Sequence, residues 1–215
     1  MQRSFLYFFI LLLIFLLCSK LFVFNNKYAP KKIRLFTNIM LSLVCIQSVS
    51  LLIISILEKQ NFIIYFKGFL YLDFIFVPLI IWTCTYIYLR NYKLDFNLSY
   101  IVLLITVFIY GVLIMILPER VRISDFMGYS IDFNNNIFHF VYCILIISII
   151  LICCFMFKNK FVNKDGIVLV MFVCSIILIE RMLFIYKINI FPQGIIGSLI
   201  SICLINYVYI SFKDK

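Results

Sequence analysis

The stretch that decides the fold is IVLVMFVCSIILIERMLFIY, residues 167–186. Seventeen of its twenty residues are apolar, and as a helix rising 1.5 Å per residue it extends about 30 Å, the thickness of a bilayer's hydrocarbon core. A spanning β-strand would be about half as long and would alternate apolar with polar residues, whereas this run is continuous. It therefore reads as a transmembrane helix. It also carries a carboxylate and a guanidinium side by side, Glu180 and Arg181, where each is costly unless paired or hydrated.

Six further windows of similar length and character flank it, at 5–24, 35–57, 68–89, 99–117, 137–157 and 195–212, with the quoted stretch supplying a span over 167–186. The whole chain agrees. Of 215 residues, 66% are apolar and only 13% charged, and the mean hydropathy is +1.16, far outside the range of soluble domains, which are about half apolar and a quarter charged. The expected fold is all-α: a single polytopic seven-helix bundle over residues 1–215, with connections too short for a soluble domain. The first window resembles a secretory signal, but no small-residue cleavage site follows it; Phe22, Phe24 and a basic loop do, so it reads as a retained helix.

The net charge of +10 follows the loops rather than a nucleic-acid footprint. With the N-terminus placed outside, twelve lysines and arginines fall in inner segments, Lys31, Lys32 and Arg34 among them. Six fall in outer ones: Arg3, Lys59, Lys67, Arg120, Arg122 and Lys187. The positive-inside rule then sets the N-terminus outside and the C-terminus in the cytoplasm of a multi-pass cell-membrane protein. The same excess is a signal for anionic lipid, so the bilayer is the first partner and nucleic acid is not one. All eight cysteines lie within expected spans, with no CxxC or Cys/His spacing, so neither disulfide, metal site nor cofactor is expected.

Four ionisable residues fall at membrane depth: Asp73 in the third span, His139 at the start of the fifth, and Glu180 with Arg181 in the sixth. On the expected topology all four lie in the outer half. Consecutive helical residues point about 100° apart, so Glu180 and Arg181 are poorly placed to pair with each other. Asp73 matches Arg181 in depth and has the opposite sign. Two readings stay open: a structural ion pair joining the third and sixth helices, or a polar cluster lining an outward-opening pocket for a small ligand. His139 and Cys143 are four apart, but no further acid or base supports thiol chemistry, and an interfacial histidine is the commoner case. Too few polar residues converge for an enzyme.

Two prolines are informative. Pro78, in FIFVPLIIW (74–82), removes a backbone hydrogen bond and is expected to kink the third helix. Pro192, in NIFPQG, suits the first turn of the seventh. The GIIGS run (194–198) offers small residues for close helix contact.

The helix order, together with YFKGFLYLDFIFVPLIIWTCTYIYL (65–89) and KINIFPQGIIGSLISICLINYVYI (187–210), resembles the 7TM sensor region found N-terminal to bacterial histidine kinases. In that family the third helix opens on a K-x-x-Y-L-G-like stretch and carries a mid-helix proline. Tyr71, Leu72 and Pro78 take those places, with Lys67 one residue further from Tyr71 than in the pattern and Asp73 where a small residue is usual. A D-x-T-P-like turn opens the family's last helix; here Asn189, Phe191 and Pro192 stand there, without the acid. The resemblance implies a membrane-embedded sensor. Because no kinase sequence follows, a free-standing module is expected, signalling through a separate cytoplasmic partner or a homo-oligomer. The alternative is the small-molecule-binding membrane subunit of a transporter that a separate ATPase energises.

Overall fold

The computed structural model describes residues 2–56, 64–89, 95–123, 129–159, 162–188 and 191–213. Lys59, Asn189 and the parts of the expected loops at 57–63, 90–94, 124–128, 160–161 and 214–215 lie outside the described residues. The helices are α1 (Gln2–Tyr28), α2 (Lys31–Ile56), α3 (Lys67–Leu70), α4 (Asp73–Leu89), α5 (Asn97–Ile116), α6 (Ile137–Met156), α7 (Lys164–Ile185) and α8 (Ile195–Lys213). A 3-10 turn, Ile64–Phe66, precedes α3, and another, Pro192–Gly194, precedes α8. Among the described residues six segments are long and apolar enough to cross a membrane, the third being Ile64–Leu89, and the apolar part of α8, Ile195–Ile210, is shorter. The chain is thus a largely helical protein with the composition of a multi-pass membrane protein.

Local chemistry sets the boundaries. Pro30 disfavours helix at Ala29 and ends α1, and its own carbonyl then accepts the N–H of Arg34 at 2.8 Å to start α2. Asn163 caps α7 by accepting the Gly166 N–H at 3.2 Å.

One expectation needs correction. The loop over 118–136 is not merely a charged connection: it forms an antiparallel hairpin, β1 (Glu119–Ile123) with β2 (Tyr129–Phe133), in which Arg120 faces Asp132 and Val121 faces Ile131. Among the described residues this hairpin is the one sheet in an otherwise helical fold, as expected of an all-α membrane protein. The third span also carries a discontinuity at Tyr71–Leu72, just ahead of α4, the helix that contains Pro78. The seventh helix opens at Ile195, where its span is expected, and Pro192 starts the 3-10 turn before it, with Gln193 (φ 56°) and Gly194 (φ 67°) left-handed.

The break before α4 is tolerated because its carbonyls find side-chain donors, as apolar surroundings demand. The Gly68 carbonyl accepts from the Tyr110 hydroxyl of α5, and the Leu70 carbonyl accepts from Gln47 Nε2 of α2 at 2.7 Å. Tyr71, in the turn itself, donates its hydroxyl to the Ile131 carbonyl of β2. Lys67 fixes the base of the hairpin, donating to the Leu117 carbonyl at 2.9 Å and pairing with Glu119 at 2.8 Å.

Helix α4 is the axis of the bundle. It packs against α2, α5, α6, α7 and α8, and 67% of the window containing it is buried, against 17% for α5. At the end away from the hairpin, Asn25 of α1 donates to the Arg34 carbonyl (2.9 Å) and to Asn38 (2.7 Å). Tyr209 of α8 donates to Asn25 (2.7 Å) and lies 3.1 Å from the Thr37 hydroxyl. This network ties α8 to α1 and α2.

Candidate functional site

The break before α4 and the left-handed turn before α8 meet at one level of the bundle, near its hairpin end, and α7 passes between them. Asp73, the first residue of α4, forms a hydrogen-bonded ion pair with Arg181 of α7, and both are fully buried. The Arg181 guanidinium also lies over the Tyr142 ring of α6, 4.1 Å from its centroid.

Glu180 faces a different neighbour. Its two oxygens accept the N–H groups of Ile196 (3.1 Å) and Gly197 (2.8 Å), which open α8. A carboxylate there satisfies donors with no intrahelical partner and meets the positive end of the helix dipole. Asp73 likewise sits at a helix N-terminus.

The two glycines of GIIGS serve this centre. Gly194 has φ 67°, and a Cβ on it would strike Arg181 Nη2 and lie 2.7 Å from Asp73 Oδ2. A Cβ on Gly197 would lie 2.8 Å from Glu180 Oε2. Their smallness therefore admits charged side chains rather than a neighbouring helix backbone.

The centre is incompletely satisfied. Asp73 Oδ1, Arg181 Nε and Nη1, and the Tyr142 hydroxyl are buried without a hydrogen-bond partner. Left dry, each costs about 1–3 kcal/mol. Aromatic rings screen it on the hairpin side, with Phe74, Phe138 and Phe133 stepping outward from Tyr142 at centroid separations of 5.6, 5.0 and 4.7 Å.

His139 lies one layer outside the pair. Its ring stacks on Phe184 at 5.6 Å with an interplanar angle of 6°, and Phe184 in turn lies 5.6 Å from the Arg181 guanidinium carbon. No hydrogen bond joins His139 to Cys143, and His139 Nδ1 is buried and unpartnered. Together His139 and Phe184 form the floor of a polar cavity of about 60 Å³, whose walls are Arg120, Asp132, Phe133, Asn134, Asn136 and Lys187. That volume holds only a few water-sized groups. The cavity wall includes the base of the hairpin and Lys187, which is left-handed (φ 61°) at the end of α7. Among the described residues no three of His, Cys, Asp or Glu gather as metal ligands.

Of the residues singled out by sequence, the structure joins Asp73 to Arg181, turns Glu180 to the backbone of α8, and places His139 in the cavity floor. Tyr142, Gly194 and Gly197, and the polar cavity walls, were not singled out as parts of the site. For Tyr142 a signal existed, since it follows His139 by three residues and so shares its helix face. The chain matches no family model, and no curated protein matches it.

Proposed function

We propose that the chain is a seven-span sensor of the cell membrane, of the 7TM type that its sequence resembles, with its N-terminus and hairpin outside and its C-terminus in the cytoplasm. The cavity beneath the hairpin takes a small polar ligand, and the ligand is read out by a cytoplasmic partner. The observation that carries this reading is the buried, incompletely hydrogen-bonded Asp73–Arg181–Tyr142 centre directly beneath the polar cavity, where the open ends of α4 and α8 converge. Discontinuous helices and ionisable groups that meet at membrane depth are a recurrent setting for binding sites, which supports this reading. A ligand that bears on His139 and Phe184 bears through Phe184 on Arg181, and so on the α4–α7–α8 junction. Helix α8 carries any displacement to the opposite end, where Tyr209 contacts α1 and α2.

The test replaces the native chain with Asp73→Asn or Arg181→Gln and compares the cells with a strain lacking the chain. Sensing predicts native amounts of the variants in the membrane, a transcript profile shifted towards that of the deletion, and unchanged solute uptake. An uptake defect with unchanged transcripts would assign the chain to a transporter instead. Loss of both variants from the membrane would leave the pair a structural clamp only.

A further inference from the structure

At the end of the bundle away from the hairpin, one face of α2 carries a groove of about 520 Å³, lined by Lys31, Arg34, Leu35, Asn38, Ile39 and Ser42. The residues recur three and four apart and so form one continuous stripe. Their chemistry changes along the helix. Lys31 and Arg34 come first, Asn38 follows a turn later, and Leu35 and Ile39, 55% and 39% exposed, offer apolar surface alongside.

We propose that this groove is a binding site for an anionic phospholipid, with the phosphate held by Lys31 and Arg34, the glycerol and ester region beside Asn38, and an acyl chain along Leu35 and Ile39. Three features favour a lipid over a soluble anion or a protein partner. The lining sets both cations in the first turn of the helix and continues with aliphatic Leu35 and Ile39 beside polar Asn38 and Ser42, which matches a charged headgroup followed by an ester region and a chain. Leu35 and Ile39 belong to a segment with the length and apolarity of a membrane span, so their exposed surface faces acyl chains. Among the described residues no carboxylate lines the groove. The basic residue next to it, Lys32, is turned elsewhere, 3.9 Å from Asp95 and 3.4 Å from Asn97. Arg34 donates to the Asn26 carbonyl at 3.2 Å, which leaves the rest of its planar fork for a phosphate. Basic clefts at the cytoplasmic level of transmembrane helices suit acidic headgroups, and that is the leaflet this end occupies on the topology proposed above. The side-chain chemistry of the groove is the same for either orientation of the chain, so the site stands independently of the sensor reading.

The experiment titrates phosphatidylglycerol or phosphatidylcholine into the full chain in detergent and follows bound lipid by native mass spectrometry. The expected result is tighter binding of phosphatidylglycerol than of phosphatidylcholine. Lys31→Gln, which removes a cation with no partner among the described residues, should weaken phosphatidylglycerol alone by about fivefold, the equivalent of about 1 kcal/mol per cation. Lys31→Gln with Arg34→Gln should weaken it by about twenty-five-fold, while Lys158→Gln, remote in sequence, should leave it unchanged. Equal binding of the two lipids overturns the proposal, as does unaltered phosphatidylglycerol binding by the double variant. Inorganic phosphate competing as well as the lipid, mole for mole, would show a soluble-anion site and also overturn it. Labelling of single cysteines from either side of sealed membranes reports orientation separately, so an inverted topology is distinguishable from an absent lipid site.

Discussion

Replacing the Asp73–Arg181 pair with apolar residues should be far less harmful than breaking it. Asp73→Leu keeps the branching of the side chain but leaves the Arg181 guanidinium, fully buried over Tyr142, without its counter-charge. Arg181→Met leaves the Asp73 carboxylate in the same position. Removing one member of a buried pair costs about 3–5 kcal/mol because the other charge stays in a poorly polarisable site. For a chain of this size that is a fall in Tm of about 6–20 °C. In the double variant no charge is stranded, and three atoms already without partners, Asp73 Oδ1 and Arg181 Nε and Nη1, are removed with it. Its stability should therefore lie within about 1–2 kcal/mol of the native chain, where additivity would predict a loss of about 6–10 kcal/mol. The assay is loss of helical circular dichroism on heating the full chain in detergent micelles. If a single variant fails to accumulate, recovery of membrane-inserted protein in the double variant reports the same coupling. A double variant as unstable as the sum of its parts would refute the reasoning, and so would single variants indistinguishable from native.

The α8 opening gives a second prediction. Glu180→Ala should destabilise more than Glu180→Gln, by about 1–3 kcal/mol, since alanine strands the Ile196 and Gly197 N–H groups whereas glutamine still offers one acceptor; thermal unfolding ranks the two. Gly194→Ala should cost more than the about 1–2 kcal/mol of a left-handed alanine, because its Cβ also collides with the ion pair. Gly111→Ala, in the α5 interior with nothing within 4 Å, should instead gain about 0.5–1 kcal/mol in the same assay. Tyr209→Phe should speed amide exchange at the Tyr209 end of α8, leaving the Gly197 end protected, because it removes the hydroxyl that holds Asn25.

The helical architecture was legible because span length and apolar continuity are fixed by bilayer thickness, and depth along each span was enough to match Asp73 with Arg181. The hairpin was legible in principle. RVRI (120–123) and YSIDF (129–133) both alternate, with Val121 opposite Ile131, yet a charged loop between two spans invites a reading for topology alone. The break at Tyr71–Leu72 was not. Its cause lies in donors distant in sequence, Gln47 and Tyr110, which stabilise carbonyls that a local reading leaves inside a helix. Pro78 announces itself in sequence as a local breaker, whereas neither Tyr71 nor Leu72 does. The Glu180 partners were equally hidden, because backbone N–H groups are common to every residue and carry no signature in sequence.

Adjacency of Glu180 and Arg181 is what makes the junction possible. A single charged residue on α7 could hold one neighbour. Two consecutive ones, diverging by about 100°, reach two neighbours at the same depth, Arg181 the start of α4 and Glu180 the start of α8. Each of those starts is a helix N-terminus that favours a carboxylate, and each receives one, from its own first residue in α4 and from α7 in α8. The arrangement couples the two breaks mechanically. A rotation of α7 about its axis that drew Arg181 away from Asp73 would also turn Glu180 away from the α8 amides, so the contacts should loosen together rather than in turn. Phe184, three residues beyond Arg181, is where such a rotation meets the floor of the hairpin cavity.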